Sequence, residues 1–106
     1  METDCLKVKA KIDAGDEFLF LDVREQDELD AAAIEGATFL PMSEIQQRVS
    51  ELEPHKECDI VVFCHGGVRS LQVTAWLQQQ GYTSVKSMKG GIDAWSQVVD
   101  SSVPRY

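Results

Sequence analysis

A chain of 106 residues with a formal net charge of −8 is sized for a single domain, 1–106, and is a poor partner for duplex nucleic acid or an anionic membrane. Its 43% hydrophobic and 26% charged residues are an ordinary globular balance, enough for one core without staples. The start, Met1-Glu2-Thr3-Asp4, is acidic and polar, and no apolar run approaches the roughly 20 residues of a membrane span. The expectation is therefore a cytoplasmic monomer.

In chain order, Asp4 to Ala14 reads as a helix, with Thr3 or Asp4 as cap, Cys5, Val8 and Ile12 as its apolar stripe, and Gly15 as its stop. Phe18 to Leu21 with Val23 is a continuous apolar run, the mark of a strand covered on both faces. Glu25 to Ala33 reads as a short polar helix, and Ala37 to Leu40 as a brief strand ended by Pro41. Ser43 is placed to cap a helix carrying Ile45, Val49 and Leu52 on one face, with Pro54 beyond its end. Ile60 to Phe63, apolar and β-branched, belongs at the centre of a sheet. Ser70 to Gln80 reads as a helix with Leu71, Thr74, Ala75 and Leu77 inward and Gly81 at its C′ position. A short strand at Ser84 to Ser87, a Gly90-Gly91 turn and a helix from Ile92 to Val99 with Trp95 and Val99 inward complete the pattern, and a polar tail follows. Strands separated by helices predict an α/β domain, a mostly parallel central sheet with helices on both faces. In such folds ligands bind outside the carboxyl ends of the strands, and the residue directly after the central strand is Cys64.

The cysteines, Cys5, Cys58 and Cys64, show no structural-zinc spacing, so no structural metal is expected from them. Cys5 lies on a helix stripe and reads as packing, whereas Cys58 sits among polar residues and reads as exposed and incidental. Cys64 differs in its company: Cys64-His65-Gly66-Gly67-Val68-Arg69 runs directly into a helix. Adjacent glycines allow a tight turn that can aim several amide N–H groups at one centre. The helix start adds its unpaired N–H groups and its dipole. Thiols in such surroundings ionise more readily than the ordinary value of about 8.5 allows, which makes them nucleophiles. Arg69 adds a fixed positive charge and a planar donor fork for an anionic group. His65 could tune the thiolate, contact substrate or fill the loop, and His55 reads as a surface residue.

Together with its flanks, this loop resembles the rhodanese family of sulfurtransferases. Leu21-Asp22-Val23-Arg24-Glu25 is similar to the Asp-Val-Arg-Glu signature after the first core strand, and Ile34-Glu35-Gly36-Ala37 to the Ile-x-Gly-Ala step. Cys64 to Arg69 resembles the active loop, and Gly90 to Trp95 the Gly-Gly-x-x-x-Trp turn. Ala32-Ala33 stands where many members have Gly-His, and the extra amino-terminal strand of many members is expected to be short or missing. The ending Val103-Pro104-Arg105-Tyr106 is similar to carboxy-terminal rhodanese domains of enzymes that activate sulfur-carrier proteins.

The resemblance implies that Cys64 takes a sulfane sulfur from a small anionic donor such as thiosulfate, holds it as a persulfide, and passes it to cyanide, a thiol or a protein carrier, with no metal or organic cofactor required. It implies that His65, Gly66, Gly67, Val68, Arg69 and Ser70 form the substrate-binding loop, with Arg69 on the donor's anionic group. Asp22 and Arg24 either brace the fold as an ion pair or shape the pocket beside Cys64. Trp76 and Trp95 read as core or pocket wall, and Gln78-Gln79-Gln80 as a solvated helix end. Two other classes compete. Some phosphatases share the fold, but their Cys-to-Arg loop is one residue longer, sized for a phosphoryl group, so no appreciable aryl phosphate hydrolysis is expected. The other is a non-catalytic binding or regulatory module; inactive relatives usually lose the loop cysteine, whereas Cys64 and Arg69 are both present here. The acidic surface also suits a relay in which the acceptor is a basic protein.

Overall fold

The computed structural model describes residues 1–106. Five parallel strands form one sheet in the order β1-β5-β4-β2-β3: β1 Glu2–Asp4, β2 Leu19–Asp22, β3 Thr38–Phe39, β4 Ile60–Phe63 and β5 Val85–Lys89. The helices are α1 Cys5–Asp13, α2 Gln26–Ala31, α3 Ile45–Arg48, α4 Val68–Gln79 and α5 Gly91–Val98. β4 is central and every one of its residues is buried, as its unbroken apolar run requires.

Alternation along the strands splits the core into two layers. Leu21, Ile60, Val62 and Val85 point to one face, where Ile45, Leu52, Val73 and Leu77 cover them. Phe20, Val61, Phe63 and Met88 point to the other, where Cys5, Val8, Ile92 and Trp95 pack. Phe20 meets the rings of Phe63 at 4.7 Å and Trp95 at 5.8 Å between centroids.

Local departures from the sequence pattern have local causes. The amino-terminal strand is present but only three residues long, and its backbone pairs with β5 without any apolar alternation to announce it. Ile12 is exposed rather than on the buried stripe, because it lies in the last turn of α1 and residues 13–17 leave it uncovered. The helix expected after Ser43 is a single α turn between two 3₁₀ segments, Met42–Glu44 and Val49–His55, with Pro54 inside the second. The Ser43 hydroxyl is drawn away from capping, donating to Glu25 Oε1 at 2.6 Å. On α4 the inward face is Ser70, Val73, Thr74 and Leu77, with Leu71 and Ala75 only half-buried. Two buried hydroxyl residues disguise that face as a polar one. α4 also begins at Val68, not Ser70, so Val68 and Arg69 belong to its first turn.

Candidate active site

β2 and β4 run side by side with Asp22 opposite Phe63, so Cys64 leaves the sheet at its carboxyl edge. The chain continues from β2 outward to β3 and from β4 the other way to β5, which makes this the switch point of the fold. Cys64 is 1% exposed. Its Sγ accepts hydrogen bonds from the N–H groups of Gly67 at 3.1 Å and Ser70 at 3.3 Å, and Ser70 Oγ lies 3.5 Å away. The neighbouring N–H groups of Val68 and Arg69 belong to the first helical turn, which has no preceding turn to bond to. Ser70 Oγ also lies 2.7 Å from Ser87 Oγ on β5, both hydroxyls fully buried. Backbone N–H donors thus converge on Cys64 Sγ at the start of α4.

The loop holds this shape for two reasons. Gly67 takes φ +109, a left-handed conformation open to glycine, and lies so near Gly90 that a Cβ would stand 3.1 Å from its nitrogen. The other loop glycine, Gly66, needs no such conformation. From below, α5 supplies two amides: Ile92 N–H donates to the Cys64 carbonyl at 2.9 Å and Asp93 N–H to the His65 carbonyl at 3.1 Å. Those carbonyls face α5 while the amides on the other side of the loop face the sulfur. A Cβ on Gly91 would overlap both carbonyls.

A charged layer surrounds the loop. Asp22 and Arg24 are both essentially fully buried; Asp22 Oδ1 accepts from Arg24 Nε at 3.0 Å and Oδ2 from Nη2 at 2.7 Å. Arg24 also donates to the carbonyls of Ala32 at 2.8 Å and Glu28 at 3.1 Å. The pair therefore ties the end of β2 to α2, and every hydrogen bond that the Asp22 carboxylate accepts comes from Arg24. The Arg69 fork, expected to await an anion, is held by Glu28 through two parallel bonds of 2.5 and 2.8 Å. The Tyr106 hydroxyl donates to Glu28 Oε2 at 2.8 Å and accepts from Arg24 Nη1 at 3.1 Å. The Tyr106 ring stacks on His65 at 4.1 Å, so the histidine side chain is engaged with the tail. Val68 projects into solvent, 71% exposed.

The two N–H donors of Arg69 hold the Glu28 carboxyl down to about 2, against its ordinary value of 4.5. A depressed acid stabilises the fold above its unfolded value and loses that contribution as pH falls towards the folded one. Glu28 should therefore contribute about 2–3 kcal/mol that drains away between roughly pH 4.5 and 2. Urea midpoints measured across that range should fall steeply for the native chain, and Glu28→Gln should flatten this arm of the profile; equal slopes would refute the assignment.

Glu28 and Tyr106 were not singled out by the sequence. Glu28 looks like half of a capping box, and it does accept from the Glu25 N–H at 3.2 Å. Tyr106 stands in a polar tail without periodicity. Cys5 is buried, and burial pushes its thiol up to about 11; Cys58 is exposed. Trp95 is core, and Trp76 is half-buried against the opposite core layer.

The profile of the Rhodanese-like domain family matches residues 5–98. A protein of Arabidopsis thaliana, Rhodanese-like/PpiC domain-containing protein 12, chloroplastic, is 41% identical over 95 residues; the match covers 86% of this chain and 31% of that protein. A protein of Allochromatium vinosum named sulfurtransferase is 36% identical over 96 residues, covering 91% of this chain and 88% of that protein. Among solved structures, a rhodanese-like domain protein from Staphylococcus aureus superposes with a TM-score of 0.83 at 25% identity, covering 100% of this chain and 99% of that one.

Proposed function

This chain belongs to the rhodanese-like domain family, and from that membership we propose that it moves a sulfane sulfur through a persulfide on Cys64 to a thiophilic acceptor, whether cyanide, a thiol or a protein carrier. The observation that carries the reading is the pair of N–H donors, from Gly67 and Ser70, directed at Cys64 Sγ at the start of α4. The thiolate attacks the donor's sulfane sulfur, a new S–S bond forms, and the donor's own bond to that sulfur breaks. The outer sulfur of the persulfide then lies against the remaining loop amides, Val68 and Arg69 among them. Preorganised amides of this kind stabilise charge that shifts outward during transfer, without having to reorient. The depth of Cys64, 1% exposed, suits a terminal sulfur atom better than a bulky tetrahedral group. The four residues between Cys64 and Arg69 favour the same choice.

Intact mass spectrometry tests the proposal. After incubation with thiosulfate or with cysteine hydropersulfide, the chain should gain the mass of one sulfur atom. Cyanide or dithiothreitol should remove it, and Cys64→Ala should never acquire it. A chain that stays unmodified with both donors, or a Cys64→Ala variant that still gains sulfur, would defeat the proposal.

A further inference from the structure

Resting on the sulfur-transfer reading, we propose that Glu28 is a specificity-determining residue that neutralises Arg69 and turns the site away from small dianionic donors such as thiosulfate, towards alkyl hydropersulfides, R–S–SH. The arginines around the loop are all matched by carboxylates: Arg24 by Asp22, Arg69 by Glu28 and Arg105 by Asp93. Lys89 lies beside the loop, in a cleft that Glu2 shares. The charge of each arginine near the sulfur is therefore offset by a carboxylate, and the chain as a whole carries −8.

The Arg69–Glu28 contact is not a loose surface pair. It is bidentate, its side chains are 31% and 17% exposed, and the Tyr106 hydroxyl fixes the carboxylate from a third direction. A dianion seeking the Arg69 fork must displace a carboxylate that is already optimally placed. The carboxylate also stays ionised over the whole useful pH range, because Arg69 holds it down to about 2.

The two donor classes place different charge on this pocket. With thiosulfate, Cys64–S⁻ and S–SO₃²⁻ give Cys64–S–S⁻ and SO₃²⁻, so three negative charges meet in a site where Cys64 is buried. With a hydropersulfide, Cys64–S⁻ and R–S–SH give Cys64–S–SH and R–S⁻. The new bond forms between Sγ and the outer sulfur, the donor S–S bond breaks, and its electron pair leaves on R–S⁻; the proton of the new Cys64–S–SH, more acidic than a thiol, passes to R–S⁻, leaving Cys64–S–S⁻ and R–SH. With the donor in its R–S–SH form, the reacting sulfurs carry one negative charge throughout. The terminal sulfur reaches the floor of the loop while R stays outside.

The test compares thiosulfate and cysteine hydropersulfide as donors for the full chain, its Glu28→Gln variant and its Glu28→Asp variant, with sulfur loading followed by mass and rate, and folding checked by thermal unfolding. Glu28→Gln should raise kcat/KM for thiosulfate about tenfold, through KM, while hydropersulfide changes less than about threefold. Glu28→Asp keeps the charge and should keep the native preference, which a role in shape alone would not. Sulfate, a dianion that donates no sulfur, should leave hydropersulfide loading of the native chain unchanged, a measurement that needs no variant. An unaltered donor ratio in Glu28→Gln, equal losses with both donors in both variants, or strong competition by sulfate would overturn the inference while the sulfur-transfer reading stands. Failure of every form to load sulfur from either donor would overturn both.

Discussion

Arg24→Ala is expected to destabilise the chain by about 3–5 kcal/mol, because it strands a buried carboxylate. Asp22 is 1% exposed and accepts every one of its hydrogen bonds from Arg24. Removing the guanidinium also leaves the Ala32 carbonyl unpaired and cuts the tie to Tyr106. A domain has only about 5–15 kcal/mol in total, so the unfolding midpoint in urea should fall by a large fraction, read by circular dichroism. Arg24→Lys should restore little, since an ammonium cannot reproduce the fork that spans both carboxylate oxygens. Asp22→Asn combined with Arg24→Met should cost less than the sum of the two single changes, because the buried charge disappears with its partner. Additive losses would show that the pair is dispensable as a pair.

Gly91→Ala is expected to lower the rate of sulfur loading on Cys64 by about 10²-fold, the effect of moving a reacting group by roughly 1 Å. The added Cβ overlaps the carbonyls of Cys64 and His65, both backbone atoms that cannot swing aside. The φ of +59 adds a further cost of about 1 kcal/mol for any residue with a side chain. To relieve the overlap the loop must lift, and lifting it breaks the bonds from the Ile92 and Asp93 amides that set its orientation. Single-turnover loading with cysteine hydropersulfide measures the loss. As a stability comparison, Gly66→Ala meets nothing within 4 Å and has no positive φ, so its thermal midpoint should match the native chain. Native loading rates in Gly91→Ala would mean that α5 does not position the nucleophile.

These two variants also mark where the sequence could be followed and where it could not. The strand Ile60 to Phe63 and the glycine loop behind it are short-range signals, each carried by neighbouring residues, and the chain folds them as their pattern demands. Membership of the family and the parallel architecture follow from such signals in order. What sequence alone could not separate was an Asp22–Arg24 pair that braces from one that shapes a pocket, because the answer depends on Ala32, Glu28 and Tyr106 arriving from elsewhere. The commitment of Arg69 to Glu28 is a contact across 41 positions, and nothing local distinguishes Glu28 from any acidic residue early in a helix. The 3₁₀ segments around α3 were obscure for the opposite reason: they are held by packing of a few residues, with too little apolar periodicity to register, whereas the short β1 is one of the two outcomes, short or missing, expected from the family pattern.

The outermost strands of the sheet are its shortest, three residues in β1 and two in β3. A stray extended peptide laid along either border would find only a few free amides and carbonyls to grip before the chain turns away. Growth of the sheet by recruitment of further chains is thereby starved of a template, and concentrated samples should resist fibril seeding even though the innermost strand, taken alone, has the apolar, β-branched character of an aggregating segment.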